Sequence, residues 1–228
     1  MATATATETP TATNWPRIAG VGGIVFAALV AVTNLIVPNP PAWDTAGGEV
    51  ATWVHQHHTA LAITVAPFPI AALGLFVFGA GLLRRVRQSD DADANQLALV
   101  GFLGMVFIAA MFGTVEVARL VLLSFDGSAS ATPGLVELAW HLEGAAFAIN
   151  MGAVSIALFG VAGAAVRVGL APPWFRPLSI VGLLLGLAAA VQAPGVVQGA
   201  SGWQIGLVAF VSWLLLLVVV GARMIRSS

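Results

Sequence analysis

Three groups of side chains in this 228-residue chain have types and spacings that could do chemistry. The first is Glu137-Leu-Ala-Trp-His141-Leu-Glu143, two acids and a histidine within seven residues. The second is Glu116 with Arg119, an i, i+3 pair that shares a helix face closely enough to form an ion pair. The third is His55-Gln-His57-His58. Acids beside a histidine could handle protons, because histidine titrates near neutral pH. His55, His58 and His141 could instead hold a zinc-type metal through nitrogen ligands.

The spacings do not match a known catalytic frame. There is no His-Glu-x-x-His run, and no nucleophile elbow surrounds Ser124, Ser128 or Ser130. A b-type haem would need axial histidines deep in a bundle, and His141 near a helix start is the one candidate. No cofactor is implied. The chain has no cysteine and no lysine, so disulfides, thiolate ligands, thiol catalysis and a lysine Schiff base are excluded. Its net charge of −1 gives no reason to expect a nucleic-acid partner.

The elements that must position these groups follow from composition. Hydrophobic residues make up 59% of the chain and charged residues 8%, with a mean hydropathy of +0.95. A soluble domain carries about 25% charged residues, so this chain cannot cover a water-facing surface. Its long continuous apolar runs point to an all-α polytopic membrane protein; a barrel would show short alternating segments. Residues 1–16, rich in Thr and Ala, read as a disordered cytoplasmic tail. Residues 17–226 read as one domain of six transmembrane helices, at about 17–37, 61–83, 96–124, 135–166, 178–193 and 203–220.

Between the first two spans, Asp44 is placed to cap a short helix from Thr45 to His58. Val50, Trp53, Val54 and His57 give that helix one apolar stripe, as expected of an amphipathic helix on the outer surface. Pro67 and Pro69 remove two backbone donors near the start of the second span, which should kink or unwind it.

Arginine sets the orientation. Arg17, Arg84, Arg85, Arg87, Arg167, Arg176, Arg223 and Arg226 all fall on one side of an alternating six-span path. The positive-inside rule assigns that side, with both termini, to the cytoplasm of a plasma (inner) membrane. Arg119 alone departs from the pattern.

Helical rise then assigns depths. Glu116 lies 19 residues above Leu97, or ~28 Å at ~1.5 Å per residue. His141 and Asn150 lie 25 and 16 residues above Val166, or ~37 and ~24 Å. Glu116, Arg119, Glu137, His141 and Glu143 should therefore meet at the outer edge of the hydrocarbon. Helical phase separates Glu137 and His141, on one face with Gly144 and Ala148, from Glu143 and Asn150 on another. Glu143 is thus expected to reach Arg119 across the hairpin. Two readings follow: an ion pair that docks the third span on the fourth, or a polar pocket.

Gly182-x-x-x-Gly186 and Ala148-x-x-x-Gly152 permit close packing of helices within the chain. The Ala, Val, Gly and Arg bias suggests a GC-rich bacterial genome. Arg17-Ile-Ala-Gly-Val-Gly, Trp140-His141, and Ala171-Pro-Pro-Trp174-Phe-Arg-Pro-Leu-Ser-Ile-Val-Gly-Leu carry a resemblance. The chain resembles a group of bacterial, especially actinobacterial, six-span integral membrane proteins. That resemblance implies the layout and carries no catalytic or binding residues with it.

The functional expectation is a non-enzymatic membrane protein whose outer polar cluster binds a small ligand, a lipid or another membrane protein. A metal-assisted enzyme using the outer histidines is the alternative. A proton-coupled transporter is a third, weakened by the nearly uniform apolar residues in the cytoplasmic half of each span.

Overall fold

The computed structural model describes residues 14–37, 39–125 and 132–227. Residues 1–13 of the expected tail, and the turn that contains Ser128 and Ser130, lie outside them. Every element among the described residues is helical. Among the described residues five stretches are long and apolar enough to cross a membrane, which makes this a helical membrane protein.

Helix α1 spans Trp15–Ile36 and starts two residues earlier than expected, with Pro16 in its first turn. Proline is tolerated there because a first-turn N–H has no helical partner to lose. Helices α3, His58–Val65, and α4, Phe68–Arg87, form one apolar stretch interrupted at Ala66-Pro67. Pro67 cannot donate to Ile63, nor Pro69 to Val65, so the break falls where the two prolines place it. Helix α5, Ala92–Ser124, is capped by Asp91, whose side chain accepts from the Ala94 N–H at 2.9 Å. Helix α6, Pro133–Arg167, follows, and then α7, Phe175–Val191, with 17 residues. The one-turn α8, Ala193–Val196, and a 3₁₀ turn at Gly202–Gly206 lead into α9, Leu207–Arg226.

The short helix α2, Gly47–Gln56, differs from expectation in two ways. Asp44 does not cap it: Ala46 occupies the cap position without a side-chain bond. Asp44 lies instead against Gly199, where a Cβ would strike its carboxylate and where φ is +83°. The apolar stripe also turns inward. Val50 and Val54 are buried, packed with Leu122 of α5 and Val136 and Trp140 of α6. Protein covers this stripe, so it is not free to lie on lipid. His57 terminates the helix, its Nδ1 within 2.9 Å of the Trp53 carbonyl.

Helix α6 is the centre of the bundle. Of its most apolar stretch 72% is buried, against 28–50% for the other four candidate spans. Its Ala and Gly content lets neighbours approach to backbone contact. A Cβ on Gly101 would meet the Val161 nitrogen at 2.7 Å, and one on Gly104 would meet Ala157 Cα at 2.7 Å. Helix α7 docks on the opposite side, where Gly186 faces Ser155 and Gly182 faces Leu158. The small-residue spacing of α7 thus serves packing inside the chain.

Antiparallel packing gathers eight of the nine arginines, all but Arg119, at one end of the bundle. There Arg167 reaches Asp91 and Asp93, and Arg223 donates to the Gly169 carbonyl at 2.9 Å. Arg84, Arg85 and Arg87 occupy the last turn of α4, where cations complement the helix dipole. The other end holds the 39–46 and 197–206 segments, α2, and the start of α6.

Candidate functional site

The site is built where α5 ends and α6 begins. Arg119 donates through Nε to Glu143 Oε1 at 2.8 Å and through Nη1 to Glu116 Oε1 at 3.4 Å. The first bond joins two helices, and the second is the i, i+3 contact along α5. The trio therefore forms as helical rise and phase require. Glu143 is 3% exposed and Glu116 8%, and the second oxygen of each, Oε2, is buried with no partner among the described residues. Two carboxylates meet one guanidinium, leaving a formal excess of one negative charge. Charged groups cost several kcal/mol in hydrocarbon unless paired, which is the physical reason that Arg119 takes both acids.

Two cavities flank this trio. The smaller, about 30 Å³, is lined by Glu116, Thr33, Thr64, Pro67 and Phe68. It brings the proline break of the second apolar stretch to the level of Glu116, and its volume suffices for a water. The larger cavity, about 430 Å³, is lined by Arg119 and Glu143 and by four of the chain's seven tryptophans, Trp43, Trp53, Trp140 and Trp203.

The tryptophans come from four separate segments and hold one another in place. The Trp140 ring centre lies 4.5 Å from that of Trp43 and 5.7 Å from that of Trp53. Trp140 Nε1 donates to the Ala42 carbonyl at 3.0 Å, tying the 39–46 segment to α6. Trp43 lies across Gly144, where a Cβ would meet the indole at 2.7 Å. Trp203 stands edge-on to Phe147 with centres 5.3 Å apart. Thr33 and Asn34, on the same wall, spend donors on the Val30 carbonyl. The Trp53 N–H has no partner among the described residues.

Other expected site residues are placed elsewhere. Glu137 is exposed and His141 half-buried; neither lines the large cavity, and no hydrogen bond or ion pair joins them among the described residues. Asn150 is fully buried farther along α6, and neither polar atom of its amide has a partner among the described residues. His55, His58 and His141 do not assemble: among the described residues no three His, Asp or Glu side chains lie close enough to hold a metal ion.

Sequence reading missed the tryptophans as a group. Trp53 was expected on the stripe of an outer-surface helix and Trp203 as the start of a span. The available signal was that all four lie within about two helical turns of a helix end, on the side opposite the eight arginines. A comparison with models of known protein families, with curated proteins and with solved structures finds no match to this chain.

Proposed function

We propose that this chain crosses a bacterial plasma membrane six times and holds a small ligand in the tryptophan-lined cavity on its outward-facing end. The cavity carries this reading. Ligand sites are concave, of some 300–1,000 Å³, mostly apolar, with a few convergent polar groups. A volume of about 430 Å³ with aromatic walls and one buried charged trio at its edge fits that description.

The sixth crossing is α7. Its 17 residues span ~25 Å at ~1.5 Å each, just short of a ~30 Å hydrocarbon core. Residues 192–206 complete the crossing. The arginine-rich end, with both termini, faces the cytoplasm under the positive-inside rule. This six-span layout is the one implied by the resemblance to actinobacterial membrane proteins. A metal-assisted enzyme has less support because the outer histidines do not converge, and a proton-coupled transporter because no polar file leads from the trio to the arginine end.

Native mass spectrometry of the full chain tests the site. The wild type should retain a small-molecule adduct, and Leu207→Trp, which fills the cavity from α9, should lose it. An adduct of unchanged mass and occupancy in Leu207→Trp would place binding elsewhere. Orientation has a clean test because the chain lacks cysteine. An impermeant maleimide should label Ser201→Cys on intact cells and leave Ser89→Cys unlabelled; the reverse pattern would invert the topology.

A further inference from the structure

The chemical class of that ligand can be narrowed from the charges at the cavity edge, an argument that rests on the binding-site reading above. Arg119 lines the cavity with its side chain 19% exposed, whereas the Glu143 side chain is 4% exposed. The guanidinium is thus the more exposed of the two ionic groups that line the cavity. Its hydrogen bonds to the two acids use Nε and Nη1 and leave Nη2 as a spare donor.

Its charge, however, is already paired with two acids, Glu116 and Glu143. An anionic ligand would set a third acidic group against the same guanidinium in a poorly solvated cluster, where like charges repel strongly. A cationic ligand would meet the exposed guanidinium before either carboxylate, because both free Oε2 atoms are buried. A neutral oxygen acceptor meets neither penalty: it takes a hydrogen bond from a charged donor without changing the charge of the cluster. Trp43, Trp53, Trp140 and Trp203 supply flat faces for the rest of the molecule, with aromatic stacking preferred at offset or edge-on geometry.

We propose that this cavity binds an uncharged, largely aromatic or planar molecule bearing a carbonyl or hydroxyl oxygen that accepts a hydrogen bond from Arg119. The probe series is one bicyclic body in four forms: coumarin, which is neutral with a carbonyl; naphthalene, which lacks an acceptor; coumarin carboxylate; and an aminomethyl coumarin. Each is titrated calorimetrically into the full chain in nanodiscs, with empty nanodiscs as the blank for partition into lipid.

Coumarin should bind about 10-fold or more tightly than the other three, the factor expected of one hydrogen bond to a charged group. Arg119→Lys, with folding checked by circular dichroism, shortens the side chain and removes the spare Nη2 donor, and should reduce the preference for coumarin over naphthalene. Trp203→Leu should weaken both to a similar degree. Equal binding of coumarin and naphthalene, or tighter binding of either charged probe, would overturn the acceptor assignment while leaving the cavity a binding site. If no probe binds above the blank, the binding-site reading itself fails. Should Arg119→Lys not fold, the wild-type series alone decides. Mass spectrometry of an organic extract then identifies the natural occupant: an uncharged planar molecule with an oxygen acceptor supports the assignment, and a charged one overturns it.

Discussion

The molecule contains two clusters of the same make-up, one arginine between two acids, in opposite surroundings. At the arginine-rich end Arg167 bonds Asp93 at 2.8 Å and Asp91 at 3.3 Å, with side chains 37%, 70% and 32% exposed. At the other end Arg119 bonds Glu143 at 2.8 Å and Glu116 at 3.4 Å, with side chains 19%, 4% and 11% exposed. The distances are nearly identical, so geometry does not separate them. Solvent does. Water screens the first cluster and would solvate its members if they parted, so it contributes little. The second is largely buried between α5 and α6, and each member depends on the others to offset its desolvation. Only the buried cluster borders a cavity of about 430 Å³.

The largest effect that would test this contrast is at Arg119. Arg119→Leu strands two carboxylates and should destabilise the protein by about 3–5 kcal/mol, the cost of breaking a buried pair from one side. Thermal unfolding in detergent reads it out, and a loss below about 1 kcal/mol would mean that the trio is solvated after all. Glu143→Gln comes next, at about 1–3 kcal/mol, since the amide oxygen can still accept from Nε while one charge is gone. Combining Arg119→Leu with Glu143→Leu should recover part of the single loss. Strictly additive losses would show that the two residues do not act as a pair.

The smallest effects belong to the exposed cluster. Arg167→Ala should barely move the unfolding midpoint, and the remainder should vanish at high salt. Asp91 adds an acid-dependent component. The Ala94 N–H, and then Arg167, hold its carboxyl below the ordinary value of 3.8, with desolvation opposing. A depressed folded-state value means that the contribution is complete above 3.8 and is lost as pH falls below it through the folded value. Asp91→Ala should therefore lower stability at neutral pH, where the contribution is complete, and flatten the acid limb, where the wild type loses it. An unchanged acid limb would show that Asp91 titrates alike in folded and unfolded chains.

Much of this was legible because membrane helices obey one-dimensional rules. Apolar runs give the spans, and a constant rise per residue assigns depth. The i, i+3 and i, i+7 spacings give phase, which is why Glu143 could be matched to Arg119 from residue numbers. The proline break between α3 and α4 follows from missing donors alone. Helix ends were less accurate, and α2 was misplaced in environment. Its stripe of Val50, Trp53 and Val54 has the same period whether lipid or α6 covers it, so periodicity could not choose between them.

The sequence by itself therefore determined an all-helical membrane protein, the small-residue seams, and the i, i+3 partnership of Glu116 with Arg119. The tertiary structure decided which apolar faces meet protein. It left Glu137 exposed, Glu137 and His141 outside the cavity lining, and the histidines apart. It also drew Trp43, Trp53, Trp140 and Trp203 from separate segments around one cavity. The physical reason is range: rise and phase act along a single helix, whereas a cavity is what remains when helices far apart in sequence fail to close on one another.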